Sequence, residues 1–401
     1  MNSTPAASPA RQTVKKLKLV TKTFGYLPEK ILIKKILRGL VLVFSQTPVA
    51  CHCKDCKIFM KQDKLPWANN LRAFATIAVI ILHVASTISL EYSTIPKSYF
   101  FTSVFFDSAM RWCVPVFIML TGSFALEHYD GRLRMFLRKM FFRIVLPFLF
   151  WSIIYLFFFS WGELLNSHKT SMQLFSFTLK QLLSGTASHM WYVYVIVSLY
   201  LTFPFLSKWA KVAIEKEYFY FLMIWAFLLV FNSYLEKYDT SFDFSYFSGY
   251  LGYVILGNYL FKTSRKINDV VLLVIFAAAF LYTAFGTYFI SITAHENKEE
   301  LMDNLSLNVT IMSFCIYLFF KTKNYFVRDL SRKLIDIICK HSYGIYLSHI
   351  LILNIFIWCG LNFVFIHPLL SIPIITFTTL LISCTLIIVM KKIPLLKSLS
   401  G

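Results

Sequence analysis

The chain has 401 residues, of which 57% are hydrophobic and only 15% are charged, and its mean hydropathy is +0.63. A soluble domain of this length cannot bury so much apolar surface, so the composition excludes a soluble enzyme and indicates an integral membrane protein. The formal net charge of +20 does not predict a nucleic-acid partner, because most Lys and Arg residues lie in the N-terminal region and in short loops between apolar runs, where they set membrane topology.

Residues 1–65 differ from the rest of the chain. They are basic and rich in Ser, Thr and Lys, and their one apolar patch, 36–50, is too short and interrupted to predict a membrane span. We expect a cytoplasmic extension, partly disordered or lying on lipid as an amphipathic helix. The thiols of Cys51, Cys53 and Cys56 have a spacing that can hold zinc, but no second Cys or His pair completes a tetrahedral site, so a linker is favoured and no metal is expected.

Residues 66–401 are predicted to form one membrane domain. Ten apolar runs are long enough, or nearly long enough, to cross a bilayer: 71–90, 100–126, 141–162, 189–207, 218–235, 246–261, 269–291, 305–320, 342–361 and 370–390. Every second loop is rich in Lys and Arg, so the positive-inside rule places both termini in the cytoplasm. The predicted fold class is an all-α, polytopic integral membrane helix bundle of about ten transmembrane helices, with no internal repeat of the transporter kind.

Two ionisable residues lie in the first apolar run, Arg72 near its start and His83 in its middle. Eleven positions make about three helical turns, so both side chains are predicted on one helix face, about 16 Å apart along the axis. An ionisable residue inside a membrane span indicates a functional site by default. The alternative for His83 is a neutral core residue with satisfied hydrogen bonds.

The second run contains Arg111, four residues after Asp107. That spacing allows the two side chains to pair on one helix face, which favours a structural role for Arg111 about as strongly as a catalytic one. Pro115 is expected to loosen the helix nearby and to free backbone groups.

The loop before the third run holds a cluster of basic residues: Arg132, Arg134, Arg138, Lys139 and Arg143. The cluster is typical of a cytoplasmic loop, and topology alone can explain it. The alternative is a ligand rich in phosphate, because a guanidinium matches two phosphate oxygens at once.

Two further groups combine histidine with aromatic residues. His189, Trp191 and Tyr192 open the fourth run, and Tyr346 and His349 lie three residues apart in the ninth. Trp and Tyr at the end of a span usually anchor it at the membrane interface. The alternative is that these side chains line a substrate pocket.

Taken in order, these residues resemble the acyltransferase 3 family of multispanning membrane O-acyltransferases, from about Trp67 to the C-terminus. The resemblance rests on five motifs, which are Arg72 followed after ten residues by His83; Arg111, Pro115, Phe117, Thr121 and Gly122; Arg138, Lys139 and Arg143; His189, Trp191 and Tyr192; and Gly344, Tyr346 and His349. The chain looks most like stand-alone bacterial O-acetyltransferases of surface polysaccharide, including the enterobacterial common antigen type. An appended extracellular hydrolase-like domain is not expected.

The resemblance implies acetyl-CoA as the donor and a sugar hydroxyl, probably on a lipid-linked glycan, as the acceptor, in the bacterial cytoplasmic membrane. It implies that Arg72, Arg138, Lys139 and Arg143 hold the phosphates of the donor. We expect His83 to act as general base and Arg111 to stabilise the developing negative charge on the carbonyl oxygen. His189, Trp191, Tyr192, Tyr346 and His349 are predicted to line the substrate pocket.

Two alternatives stay open at this point. Ten spans with both termini inside also suit a transporter or flippase of a glycan or small metabolite, although no duplicated half is evident. Within the enzyme interpretation, a succinyl group can replace the acetyl group. An acyl-histidine intermediate is the less favoured alternative to direct transfer.

Overall fold

The structure is a computed structural model, and it describes residues 65–164, 170–235, 249–322, 329–361 and 363–401. Residues 1–64 of the predicted extension, which include its three cysteines, lie outside the described residues. All regular elements in the described ranges are helices, which confirms the all-α class. We number the α-helices in chain order: α1 Pro66–Ser89, α2 Lys97–Met110, α3 Cys113–His128, α4 Leu133–Met140, α5 Leu146–Leu164, α6 Ser171–Ser184, α7 Trp191–Val212, α8 Glu215–Leu235, α9 Leu251–Lys262, α10 Asp269–Ala294, α11 Leu307–Thr322, α12 Asp329–Trp358 and α13 Pro368–Lys392.

Seven segments of the described chain are long and apolar enough to cross a membrane. They are Pro66–Ser89, Lys97–His128, Leu133–Trp161, Ser188–Val212, Asp269–Ala294, Glu300–Thr322 and Pro368–Lys392. Each corresponds to one of the ten predicted spans, and the protein is a multi-pass membrane protein. The other three predicted spans fall on α8, α9 and α12, which are helical; α9 has only 12 residues and α12 begins with a charged half. The count of about ten stays a prediction.

Helix α1 lies between two apolar cores. One face, with Leu71, Ala75 and Val79, packs into a core that includes buried side chains of α3, α9 and α11. Another face, with Val84 and Ile88, packs into a second core shared with α5, α12 and α13. Small residues at the helix surface let neighbouring backbones approach within a membrane, and α1 has Ala at 68, 73, 75, 78 and 85, all buried.

The second predicted span is two helices. α2 ends at Met110 and α3 begins at Cys113, with Arg111 and Trp112 in the turn between them. Proline has no backbone N–H, so Pro115 cannot donate a helical hydrogen bond to the Arg111 carbonyl one turn earlier. The expected loosening near Pro115 therefore takes the form of a helix break that places Arg111 at a helix end.

The third predicted span also has an irregular start. A π-helical turn, Phe141–Val145, joins α4 to α5. Such a turn inserts an extra residue into the helical ladder and changes the direction of the side chains around it. Arg143 lies in this turn, and the hydroxyl of Tyr343 on α12 donates to the Ile144 carbonyl at 2.8 Å. The turn is thus held in place by a helix that is distant in sequence.

Two glycines permit a close crossing of α3 and α9. A Cβ atom added at Gly122 would lie 2.2 Å from the Val254 carbonyl oxygen, and one added at Gly257 would lie 2.1 Å from the Met119 carbonyl oxygen. The hydroxyl of Ser123 donates across the same crossing to the Gly257 carbonyl at 2.9 Å. No side chain larger than hydrogen fits at either glycine without moving a backbone.

We predict that Gly122→Ala destabilises the folded protein, because the added methyl group must separate two helix backbones. Overpacking of this kind typically costs about 1–3 kcal/mol. Thermal unfolding in detergent measures the effect. Gly286→Ala is the matched control, since its Cβ would meet only the flexible end of Leu301. Equal melting temperatures for the two variants would contradict the account.

Candidate active site

His83 and Arg72 occupy the positions on α1 that the sequence predicts. Both side chains are half-buried, whereas their neighbours on the helix are mostly buried. One turn after each of them, a threonine hydroxyl donates to its backbone carbonyl at 2.8 Å, from Thr76 to Arg72 and from Thr87 to His83. These bonds involve the backbone carbonyls and not the guanidinium or the imidazole.

A cavity of about 230 Å³ runs beside α1. Its lining comes from α1, α3, α7, α12 and the π-helical turn, and comprises Arg72, Val79, Val114, Phe117, Thr121, Ile144, Tyr192, Val193, Ile196, Tyr200, Ser342, Tyr343 and Tyr346. The structure thus brings together the predicted residues Arg72, Tyr192 and Tyr346. Arg72 is the one charged group of this lining, and the other polar groups include four tyrosines.

Three buried or half-buried histidines meet beyond Tyr346. The ring centroids of His83 and His349 are 5.1 Å apart, those of His189 and His349 are 5.2 Å apart, and those of His83 and His189 are 6.4 Å apart. Tyr346 packs against His189 and His349, with ring centroids at 5.3 and 5.8 Å. We call His83, His189 and His349 the histidine cluster. Because Tyr346 also lines the cavity, the cluster adjoins one part of it.

The hydroxyl groups of two tyrosines donate hydrogen bonds to backbone carbonyls next to the histidine cluster and hold that backbone in place. The Tyr346 hydroxyl donates to the His189 carbonyl, which fixes the 3₁₀ turn Ser188–Met190 before α7. The Tyr155 hydroxyl on α5 donates to the Leu347 carbonyl and accepts from the Leu351 N–H, both at 2.9 Å. Tyr155 is not among the site residues predicted from the sequence. The sequence feature that could have indicated it is a tyrosine hydroxyl within the predicted apolar run 141–162.

The predicted pair between Asp107 and Arg111 is present. One guanidinium nitrogen of Arg111 lies 2.6 Å from a carboxylate oxygen of Asp107 and 3.8 Å from one of Glu299, which lies in the loop after α10. Asp107 is buried, and Nε of Arg111 has no hydrogen-bond partner among the described residues. The Asp107 carboxylate therefore binds Arg111, and within the described chain no carboxylate forms a hydrogen bond with His83.

The predicted basic cluster is divided between two positions. Arg143 is exposed, follows directly on the cavity wall at Ile144 in the chain, and lies close enough to Tyr200 for its charge to act on that hydroxyl, as does Arg72. Arg138 instead lies 5.9 Å above the Phe142 ring. Neither Arg138 nor Lys139 belongs to the described lining of the cavity.

Trp191 lies apart from the cavity. It is 36% exposed and packs against Tyr250, with ring centroids 5.6 Å apart. Its ring also contacts the edge of Tyr192, at 6.2 Å between centroids, but Tyr192 belongs to the described cavity lining and Trp191 does not. This position suits the membrane anchor that the sequence analysis gave as the alternative.

A second cavity, of about 250 Å³, lies near the other end of α1. Its lining comes from the end of α1, the turn after it, the end of α12 and the segment that follows α12, and comprises Thr87, Ile88, Glu91, Ile357, Gly360, Leu361, Phe363 and Val364. Thr87 lies one turn beyond His83. The histidine cluster is thus placed between a cavity that contains Arg72 and one that contains Glu91.

Fold and site together define a multi-pass membrane protein with an internal polar site. The family model described as an acyltransferase domain, that of the acyltransferase 3 family, matches residues 65–388. The chain therefore belongs to the acyltransferase 3 family and is an acyltransferase. No curated protein and no solved structure matches the chain.

We predict that Asp107→Ala lowers the thermal stability of the purified protein. Among the described residues it leaves the Arg111 charge with only the more distant Glu299, and breaking a buried ion pair by removing one partner costs about 3–5 kcal/mol. The control is Asp130→Ala, which breaks an exposed pair with Arg132 of 3.8 Å and is worth at most about 1 kcal/mol. A melting temperature of Asp107→Ala equal to that of the control would show that Arg111 does not need its partner.

Proposed function

We propose that this acyltransferase transfers an acetyl group from cytoplasmic acetyl-CoA to a hydroxyl of a cell-surface or lipid-linked polysaccharide sugar. The observation that supports the proposal best is the cavity beside α1, which has Arg72 in its wall and the histidine cluster next to Tyr346. The cavity thus has a cationic group in its wall, and Tyr346 lies between it and the histidine cluster that contains the proposed base. A carrier would not need this separation of an anion site from a base.

The orientation of the protein follows from the loop charges. The basic loops are proposed to face the cytoplasm, together with both termini, in a bacterial cytoplasmic membrane crossed about ten times. Arg72 then lies near the cytoplasmic surface and His83 about 16 Å deeper, at roughly 1.5 Å per residue. The whole membrane domain is proposed to lie in the lipid bilayer.

The donor enters from the cytoplasmic side in this proposal. Pockets that enclose drug-sized ligands have volumes of about 300–1,000 Å³, so a cavity of about 230 Å³ admits only the slender pantetheine arm. The nucleotide end stays outside, where Arg72 and Arg143 are placed to bind its phosphates as charge-assisted pairs. Arg138 and Lys139, in the last turn of α4 before the π-helical turn, add positive charge that raises the local concentration of the anionic donor.

His83 acts as general base on the acceptor hydroxyl. As the O–H bond breaks, the proton moves to a ring nitrogen of His83, and the hydroxyl oxygen bonds to the thioester carbon. The carbonyl oxygen becomes negative, and Nε of Arg111 is a donor for it, a contribution of about 3–4 kcal/mol where water is excluded. The C–S bond then breaks, and the proton passes from His83 to the thiolate of coenzyme A, which leaves an ester and a free thiol.

The acceptor approaches from the other end of α1. The second cavity offers the Thr87 hydroxyl and the Glu91 carboxylate, groups that hydrogen-bond sugar hydroxyls, within one to two turns of His83. His189, Tyr192, Tyr346 and His349 surround the point where donor and acceptor meet. Trp191 is proposed to contribute at the membrane interface rather than inside this pocket.

The proposal predicts that His83→Ala abolishes acetylation of the host glycan. Removing a general base costs about a hundredfold to ten-thousandfold in rate. Acetyl content of the glycan is measured in cells that express wild type or variant at matched membrane abundance. His128→Ala is the control, because His128 is also half-buried but hydrogen-bonds the Phe124 carbonyl at the end of α3, away from the cluster. Full acetylation by His83→Ala would refute the catalytic role of His83.

A further inference from the structure

The four tyrosine hydroxyls in the cavity beside α1 divide into two pairs. Those of Tyr343 and Tyr346 donate to backbone carbonyls, one in the π-helical turn and one in the 3₁₀ turn before α7, so they hold the protein itself. Those of Tyr192 and Tyr200 form no hydrogen bond within the described part of the chain. Both side chains are half-buried and neither hydroxyl is enclosed by protein, so both are open to a molecule that fills the cavity.

Aromatic contacts hold the rings of the two tyrosines whose hydroxyls are open. Tyr200 stacks on Phe136 of α4, with ring centroids 5.7 Å apart, and packs against Phe203 with ring centroids 4.9 Å apart. Tyr192 packs against Tyr346, with ring centroids 5.4 Å apart. The packed rings restrict the direction of each hydroxyl before any ligand binds, and a preorganised group loses little conformational entropy on binding.

The two open hydroxyls lie at different depths of the cavity. Eight positions of α7 separate Tyr192 from Tyr200, which is about 12 Å along the axis at roughly 1.5 Å per residue. Tyr192 adjoins the histidine cluster through its contact with Tyr346. The charge of Arg72 acts on both hydroxyls, whereas that of Arg143 acts on Tyr200. Tyr200 is therefore at the end where phosphates are proposed to bind, and Tyr192 is at the reactive end.

The arm of the proposed donor has groups that complement these hydroxyls. Pantetheine contains two amide groups, and each offers one N–H donor and one carbonyl acceptor. Much of the remaining cavity wall is apolar, with Val79, Val114, Phe117 and Ile196. An amide that leaves water for such surroundings without a new hydrogen bond loses binding free energy. A tyrosine hydroxyl both donates and accepts, so it can supply the missing bond.

We propose that Tyr192 and Tyr200 bind the two amide groups of the pantetheine arm and so select a pantetheine thioester as donor. The Tyr200 hydroxyl donates to the carbonyl of the amide nearer the phosphates, and the Tyr192 hydroxyl donates to that of the amide nearer the thiol. The pair fixes how far the arm enters and places the thioester beside the histidine cluster. Tyr200 is not among the site residues predicted from the sequence. This inference rests on the proposed function, in which the arm enters this cavity.

Calorimetric titration of the purified protein with two ligands tests the proposal. One ligand is coenzyme A, and the other is adenosine bisphosphate, which is its nucleotide end without the arm. Tyr200→Phe removes one hydroxyl and keeps the ring contacts. We expect it to weaken binding of coenzyme A by about 3–10-fold, the loss typical of one neutral hydrogen bond, and to leave binding of adenosine bisphosphate unchanged.

Two further variants complete the titration. The double variant Tyr192→Phe/Tyr200→Phe is expected to weaken binding of coenzyme A by about 10–100-fold, because the effects of separated sites add. Tyr220→Phe is the control, since Tyr220 is 71% exposed and is not part of the described lining. An unchanged Kd for coenzyme A in Tyr200→Phe would overturn the proposal, and so would equal weakening of both ligands. Failure of the wild-type protein to bind either ligand would instead refute the proposed donor site itself.

A second measurement changes the ligand and needs only the wild-type protein. In an analogue of coenzyme A, the amide nearer the phosphates is replaced by a hydrocarbon link of the same length. The analogue lacks the carbonyl that Tyr200 is proposed to bind, so we expect the wild type to bind it about 3–10-fold more weakly than coenzyme A. In Tyr200→Phe this preference is lost. Equal affinity of the wild type for the two ligands would overturn the proposal even if the tyrosine variants failed to fold.

Discussion

The burial of α1 on two sides is the constraint on which the rest of the structure depends. Its apolar residues divide between two cores. Its two ionisable side chains have different surroundings, since Arg72 lines the cavity beside the helix and His83 lies against His189 and His349. A charged side chain in the apolar region of a bilayer is unfavourable unless it has protein partners or faces a cavity. The cavity beside α1 provides Arg72 with such an environment.

The other polar groups inside the bundle are held by hydrogen bonds between helices that are distant in sequence. Tyr343 bonds the π-helical turn, Tyr155 bonds the α12 backbone, and Ser123 bonds α9. Each bond fixes a segment that contributes to the cavity or to the histidine cluster. In an apolar environment such bonds are strong because water does not compete for them. The site is therefore preorganised by side chains that need not contact substrate.

The sequence predicted those features that depend on local spacing. Helical periodicity was sufficient to place Arg72 and His83 on one face, and the spacing of Asp107 and Arg111 was sufficient to predict their ion pair. The histidine cluster was beyond such reasoning, because His83, His189 and His349 come from three elements whose contact no local pattern specifies. Tyr155 was missed for the same reason.

The number of spans shows a second limit of sequence reasoning. Apolar runs in the sequence predicted ten spans. In the described part of the chain, seven helical segments are both long enough and apolar enough to cross a membrane. The break at Arg111 and the π-helical turn at Phe141–Val145 arise from local backbone hydrogen bonding, which hydropathy does not report. The family match to residues 65–388 identifies the class of reaction, whereas Arg72 in the cavity wall and the histidine cluster next to Tyr346 suggest how the donor is placed.

The central claim is that Arg72 binds the phosphates of the donor at one part of this cavity. Calorimetric titration of the purified protein with coenzyme A tests it most directly, with Arg265→Ala as control because Arg265 is an exposed arginine paired with Glu215. Hydrogen bonds to charged groups contribute about 1.5–3 kcal/mol. The account predicts that Arg72→Ala weakens binding by about 10–100-fold while Arg265→Ala leaves the Kd unchanged. An unchanged Kd for Arg72→Ala would contradict it.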